Sequence, residues 1–250
     1  MSCRTATSST SCSMSDGGGR VSWLDGWRGT ALYLMLLYHL LFDFYMFGWM
    51  GWDQIMSWPL VLMEKYIAYS FILCAGISAT LTRSNVRRGL ITLAAAVPVT
   101  AASFVVGAPI LFGVLQFLGL AMLIYAAVGG LVRRVPLRLA PVLWLALFVL
   151  FHVLTDRVLV DVKWLFWLGF RYPGYISYDH FPVLPYIFLF FLGSWMGQLL
   201  AAYGDRLPLL RRTAPRWLTV PGSHTLWIYL LHQPVLYGLC WAADRFLSIA

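Results

Sequence analysis

The chain has 250 residues, is 60% hydrophobic and only 11% charged, and has a formal net charge of +8. So little charge cannot cover the apolar surface of a water-soluble fold of this size, so lipid is its solvent. The basic residues lie in short clusters between apolar runs, without the aromatic-basic interleaving of a soluble nucleic-acid reader; they set membrane topology and meet anionic headgroups.

Residues 1–19 are rich in Ser, Thr and Gly, lack an apolar core region, and read as a disordered cytoplasmic tail rather than a signal peptide. From residue 20 to 250 the text reads as a single transmembrane domain. Its apolar runs predict an all-α, polytopic helix bundle with about seven spans, at roughly 29–50, 58–81, 89–108, 111–132, 139–155, 182–202 and 223–246. Gly107, Pro109 and Gly113 supply the turn between the third and fourth. The substantial loop, 156–181, contains Val158–Phe170, whose Trp164, Phe166 and Trp167 among Asp161 and Lys163 predict a short interfacial amphipathic helix. Tyr172, Tyr175, Tyr178, Trp49, Trp52 and Trp58 form an aromatic belt on the same side. The four cysteines, at positions 3, 12, 74 and 240, have no metal-ligand spacing, so no zinc site and no disulfide framework is expected.

Arg4, Arg20, Arg28, Arg83, Arg87, Arg88, Arg133, Arg134, Arg138, Arg206, Arg211, Arg212 and Arg216 are thirteen of the 18 Lys and Arg, and all fall on one side of a seven-span arrangement. The positive-inside tendency then puts the N-terminus in the cytoplasm and the C-terminus outside.

The first span carries the chemistry. Arg28 and His39 are eleven positions apart, about 20° in azimuth, and His39 and Asp43 are four apart, about 40°. All three share one helix face, with His39 about 16 Å deeper than Arg28 and Asp43 about 6 Å beyond. Ionisable groups at that depth are costly and mark function. A carboxylate one turn from an imidazole fixes its tautomer and raises its basicity, as a general base or acyl carrier requires. Asp25, three residues before Arg28, orients the guanidinium toward an anionic ligand. The last span places His232 at similar depth, next to Gln233 and a Pro234 that frees the carbonyl of Leu230. Gln116, Asp179 and Gln233 are supporting candidates. The plainer alternative is that each histidine makes an interhelical hydrogen bond and nothing more. Glu64, Lys65, Gly76, Ser78, Tyr33 and Tyr38 read as interface or packing residues.

Five blocks resemble the catalytic domain of the heparan-α-glucosaminide N-acetyltransferase family, in its short bacterial branch, within the wider transmembrane acyltransferase group. They are Leu24–Gly29 leading to His39 and Asp43; Phe71–Ser78; Gly113–Gly119; Asp179–Pro185 with Gly193 and Gly197; and Gly222–Pro234. The resemblance implies an acetyltransferase that takes acetyl-CoA from the cytoplasm and acetylates an acceptor on the other side. It gives Arg28 contact with the donor, His39 the role of base or acyl carrier, and Asp43 its support. The chain departs from the family pattern at Gln116, where a histidine is expected, and at the Val-Pro-Gly-Ser-His segment before the last span, where relatives have Gly-Arg-His.

The expected function is an integral-membrane, multi-pass acyltransferase moving acetyl from acetyl-CoA to an outer-face acceptor such as a cell-envelope glycan. Its partners are membrane lipids, the donor and a small-molecule or glycan acceptor, with no nucleic acid and no metal. His39 and Asp43 supply the base, and His232 or Gln233 stabilises the oxyanion. The alternative is a non-enzymatic proton-coupled membrane transporter using Asp43, His39 and His232 as a proton path. A third reading makes the two histidines axial haem ligands.

Overall fold

The structure is a computed structural model that describes residues 22–203, except 176 and 178, and 213–247. The expected tail at 1–19 and Tyr178 lie outside the described residues. Among those residues the chain is helical, with α1 at Ser22–Met46, a short α2 at Trp52–Ile55, α3 at Trp58–Leu81, α4 at Asn85–Val105, α5 at Val114–Val132, α6 at Ala140–Arg157, α7 at Val183–Tyr203, α8 at Arg216–Ser223 and α9 at Thr225–Leu247. Six of these, α1 and α3 to α7, are long and apolar enough to cross a membrane. The expected seventh run forms α9, whose 23 residues are long enough but include His232, Gln233 and Pro234 in mid-helix, which dilutes its apolarity. The expected helix start at 223 falls two residues later, because α8 ends at Ser223 and His224 breaks the run.

Prolines and glycines set the remaining boundaries. Pro59 and Pro141 stand in the first turns of α3 and α6, where a missing N–H costs nothing. The α4–α5 connection, 106–113, contains Gly107 at φ +75°, the left-handed region where a side chain is strained. The interfacial helix expected over 158–170 is shorter than that. Only Lys163–Leu168 coil, as a 3-10 helix, and Leu159 pairs with Arg171 as an isolated bridge that folds the loop back on itself. Trp164 is 65% exposed, as an interfacial anchor would be.

Helices attract one another weakly in lipid unless small residues let their backbones touch. The α3–α7 seam, the most extensive in the bundle, is built that way. A Cβ on Gly76 would meet the backbone of Phe190, Gly193 and Ser194, and one on Gly193 would meet the backbone of Leu73. Around this seam Ile72, Phe117 and Phe190 are fully buried, and Tyr125, Trp144 and Phe191 close the core toward α5 and α6. Gly193→Ala should therefore push α3 from α7 and cost about 1–3 kcal/mol. The measurement is the unfolding temperature of the detergent-solubilised protein, and an unchanged value contradicts the seam as described.

The α1 helix lies against α3, α8 and α9, tied by Trp27 Nε1 donating to Ser70 Oγ at 3.1 Å and Tyr33 Oη donating to the Trp217 carbonyl at 3.0 Å. Gly29 and Gly222 leave no space for side chains where α1 meets α8. These contacts fix the face of α1 that bears Arg28, His39 and Asp43.

Candidate active site

The α1 and α9 helices bring two pairs of polar side chains together. The rings of His39 and His232 meet edge to face, with centroids 4.6 Å apart and an interplanar angle of 85°. One turn further along α1, Gln233 Nε2 donates to Asp43 Oδ1 at 2.7 Å. Asp43 is completely buried, and its Oδ2 has no partner among the described residues. Asp43 thus does not support His39 as its spacing predicts. Four residues along a helix put two side chains on one face, but the Gln233 amide on the facing helix captures the carboxylate instead.

Backbone carbonyls orient both imidazoles. His39 Nδ1 lies 2.9 Å from the Met35 carbonyl, and His232 Nδ1 lies 2.6 Å from that of Tyr229. A carbonyl only accepts, so each Nδ1 carries a proton, and in the neutral rings each Nε2 presents a lone pair. His232 is 7% exposed, and its Nε2 has no described partner. The rings touch one another, leaving no slot for the planar macrocycle that axial haem ligation would require.

Arg28 is held at two points. Its Nη1 donates to Asp25 Oδ1 at 2.7 Å and its Nη2 donates to Ser78 Oγ, which in turn donates to the Cys74 carbonyl at 2.6 Å. Asp25 orients the guanidinium as the sequence predicts. Arg28 lines a cavity of about 280 Å³ together with Arg88 and Ser223. The cavity continues past Phe71, Cys74 and Leu118 to Val114 and Tyr229. From Met122 to Val114 it follows about 12 Å of α5 at 1.5 Å per residue. Neither His39, Asp43 nor Gln233 lines it. The connection is through Tyr229, whose ring lies 5.4 Å from that of His232 and whose carbonyl holds His232 Nδ1. Sequence reasoning missed both Arg88, which read as one of the topology arginines, and Tyr229, which read as part of a motif with no role. The signal available for Arg88 was its place in the first turn of α4, as Arg28 stands near the start of α1.

Gln116 does not reach the cavity. Its Oε1 accepts from Gly113 N at 3.0 Å and its Nε2 donates to Thr100 Oγ1 at 2.6 Å, so the side chain starts α5 and ties it to α4. Asp179 sits behind the far wall, where its Oδ2 accepts from Val114 N at 3.1 Å. The carboxylate occupies the space a Cβ on Gly113 would need, so a side chain there would displace Asp179 from the Val114 N–H. With Phe181 N donating to the Phe112 carbonyl at 2.9 Å, this contact straps the 158–182 loop onto the α4–α5 connection. His180 faces the other way, into a second cavity of about 230 Å³ lined by His152, Asp156, Arg171 and Tyr186. Its Nδ1 lies 2.8 Å from Tyr175 Oη, and Arg171 is paired with Asp156 at the rim.

The strap titrates in two opposing senses. Burial pushes the Asp179 carboxyl up to about 6, against the pull of the Val114 N–H, whereas burial and the Arg171 charge push the His180 imidazole down to about 4. A raised carboxyl binds its proton more tightly in the folded chain, so its share of stability is present at low pH and lost as pH rises toward 6. A depressed imidazole binds its proton more weakly, so its share is present above the ordinary histidine range and lost as pH falls toward 4. Asp179→Asn should therefore make the protein lose stability on acidification between pH 6 and 4, and His180→Gln should make it lose stability on the way up through the same window. Unfolding temperatures across that range measure both slopes, and parallel curves for the two variants contradict the assignment.

The model of the heparan-alpha-glucosaminide N-acetyltransferase catalytic family matches residues 20–234, a stretch that contains every candidate residue named above. No curated protein and no solved structure matches the chain. With a catalytic-family match over most of its length, laid on a helical bundle in which α1 and α9 pair His39 with His232 and Asp43 with Gln233, the chain belongs to the heparan-α-glucosaminide N-acetyltransferase catalytic family.

Proposed function

We propose that the protein transfers an acetyl group from cytoplasmic acetyl-CoA to an acceptor on the opposite face of a bacterial inner membrane, such as a cell-envelope glycan. The observation that carries this reading is the cavity with two guanidinium groups, Arg28 and Arg88, at one end and Tyr229 beside the histidine pair at the other. Arginine suits the donor's phosphates, because its planar fork binds phosphate oxygens bidentately. The apolar wall of Phe71, Cys74 and Leu118 suits an uncharged pantetheine arm that carries the thioester inward. At the far end an imidazole Nε2 accepts the proton of the attacking hydroxyl or amine. The acceptor approaches from the side of the 158–182 loop, where the second cavity opens.

Membranes containing the protein, given isotopically labelled acetyl-CoA, are expected to yield labelled envelope material by mass spectrometry of extracts. Label that stays wholly on the donor would overturn the reading. Substrate uptake by sealed vesicles without acyl transfer would replace it with the carrier alternative.

A further inference from the structure

Acyl transfer needs a hydrogen-bond donor aimed at the carbonyl oxygen as that oxygen gains charge. Sequence spacing offers His232 or Gln233, and neither lines the cavity in which the thioester would lie. One N–H of Gln233 is committed to Asp43 Oδ1 at 2.7 Å. His232 donates its Nδ1 proton to the Tyr229 carbonyl at 2.6 Å, so its neutral ring offers only a lone pair at Nε2. Arg28 is bound to Asp25 and Ser78 at the other end of the cavity.

Tyr229 meets the requirement. It lines the cavity in which the donor's arm would lie, and its ring is 5.4 Å from His232. No described residue hydrogen bonds its hydroxyl, which is also absent from the sealed, unpartnered polar atoms of the bundle. A phenol keeps its proton at neutral pH and donates along one defined direction. The ring packs against the apolar residues of two clusters, which holds the phenol in place.

We propose that Tyr229 is a catalytic residue that donates a hydrogen bond to the thioester carbonyl oxygen in the transition state. The inference rests on the acetyltransferase reading. The acceptor's lone pair forms the new bond to the carbonyl carbon, and the C=O electrons move onto oxygen, where the Tyr229 O–H holds them. They return as the C–S bond breaks, and its electron pair leaves on sulfur. The proton lost by the acceptor passes through an imidazole Nε2 to that thiolate, giving free CoA thiol. Tyr229 ends the cycle with its own proton.

The test compares wild type and Tyr229→Phe in detergent, with thiol release from acetyl-CoA and acetylated acceptor both measured. Tyr229→Phe should lower kcat about 10²–10³-fold and leave KM for acetyl-CoA within a factor of about two. A kcat within threefold of wild type, or a loss confined to KM, overturns the inference while the acetyltransferase reading stands. Wild type that releases no thiol overturns the reading and the inference with it. Placing 3,5-difluorotyrosine at 229 keeps the shape with a more acidic hydroxyl, and should move the alkaline limb of the kcat profile to lower pH. An unmoved limb overturns the inference even if the phenylalanine variant folds poorly.

Discussion

Replacing His39 with alanine is expected to lower acetyl transfer by about 10²–10⁴-fold, with the protein still accumulating in the membrane. The imidazole reaches its position through the Met35 carbonyl, which fixes the proton on Nδ1 and turns an acceptor nitrogen to the inside of the bundle. The His39 ring also meets that of His232 edge to face, so the two imidazoles share any proton taken from the acceptor. His39→Gln restores a polar side chain of similar length but no titrating group, and is expected to stay inactive. Full transfer by either variant removes His39 from the chemistry. Loss with His232→Ala alone would move the base to α9. Asp43 enters through Gln233 rather than through His39, so Asp43→Asn, which keeps an acceptor for that amide, should cost far less than His39→Ala.

The second large effect concerns the donor. Arg28→Gln and Arg88→Gln should each raise KM for acetyl-CoA about 10–150-fold, the equivalent of about 1.5–3 kcal/mol for a hydrogen bond to a charged group. Glutamine at 28 retains a donor for Asp25 and Ser78, which separates loss of phosphate binding from loss of the local fold. S-acetylpantetheine provides the control. It carries the same thioester and arm without the nucleotide, so both variants should use it as well as wild type does. Equal losses with both donors would mean that the arginines hold the bundle rather than the phosphates.

The spans were legible because a helix of about 20 apolar residues is the simplest answer to lipid. The α3 helix was read at its observed bounds, 58–81. The α4–α5 boundary resolved to Val105 and Val114 around Gly107, where the sequence placed the turn. The 158–170 segment misled because its spacing of Trp and Phe fits an amphipathic helix, whereas the Leu159–Arg171 bridge spends its ends on pairing. Within the site, positions on one helix were readable by periodicity: Asp25 does meet Arg28, three residues on. Partners on different helices were not. Asp43 was assigned to His39 by a four-residue spacing, and Gln233, 190 positions away, takes it. The pairing of His39 with His232 depends on α1 packing against α9, a choice that periodicity does not encode. Arg88 carries the same local text as its neighbour Arg87, and only the packing of α4 directs one of them into the cavity.

The most direct measurement is a single turnover of acetyl-CoA by purified protein and by His39→Ala in the presence of envelope extract as acceptor, with bound donor and released CoA thiol followed in the same sample. Wild type should convert bound donor to thiol, while His39→Ala holds the donor with comparable affinity and releases none. Equal thiol release by the two proteins, or no donor binding by either, would contradict a histidine pair that acts on a thioester held in the arginine-lined cavity.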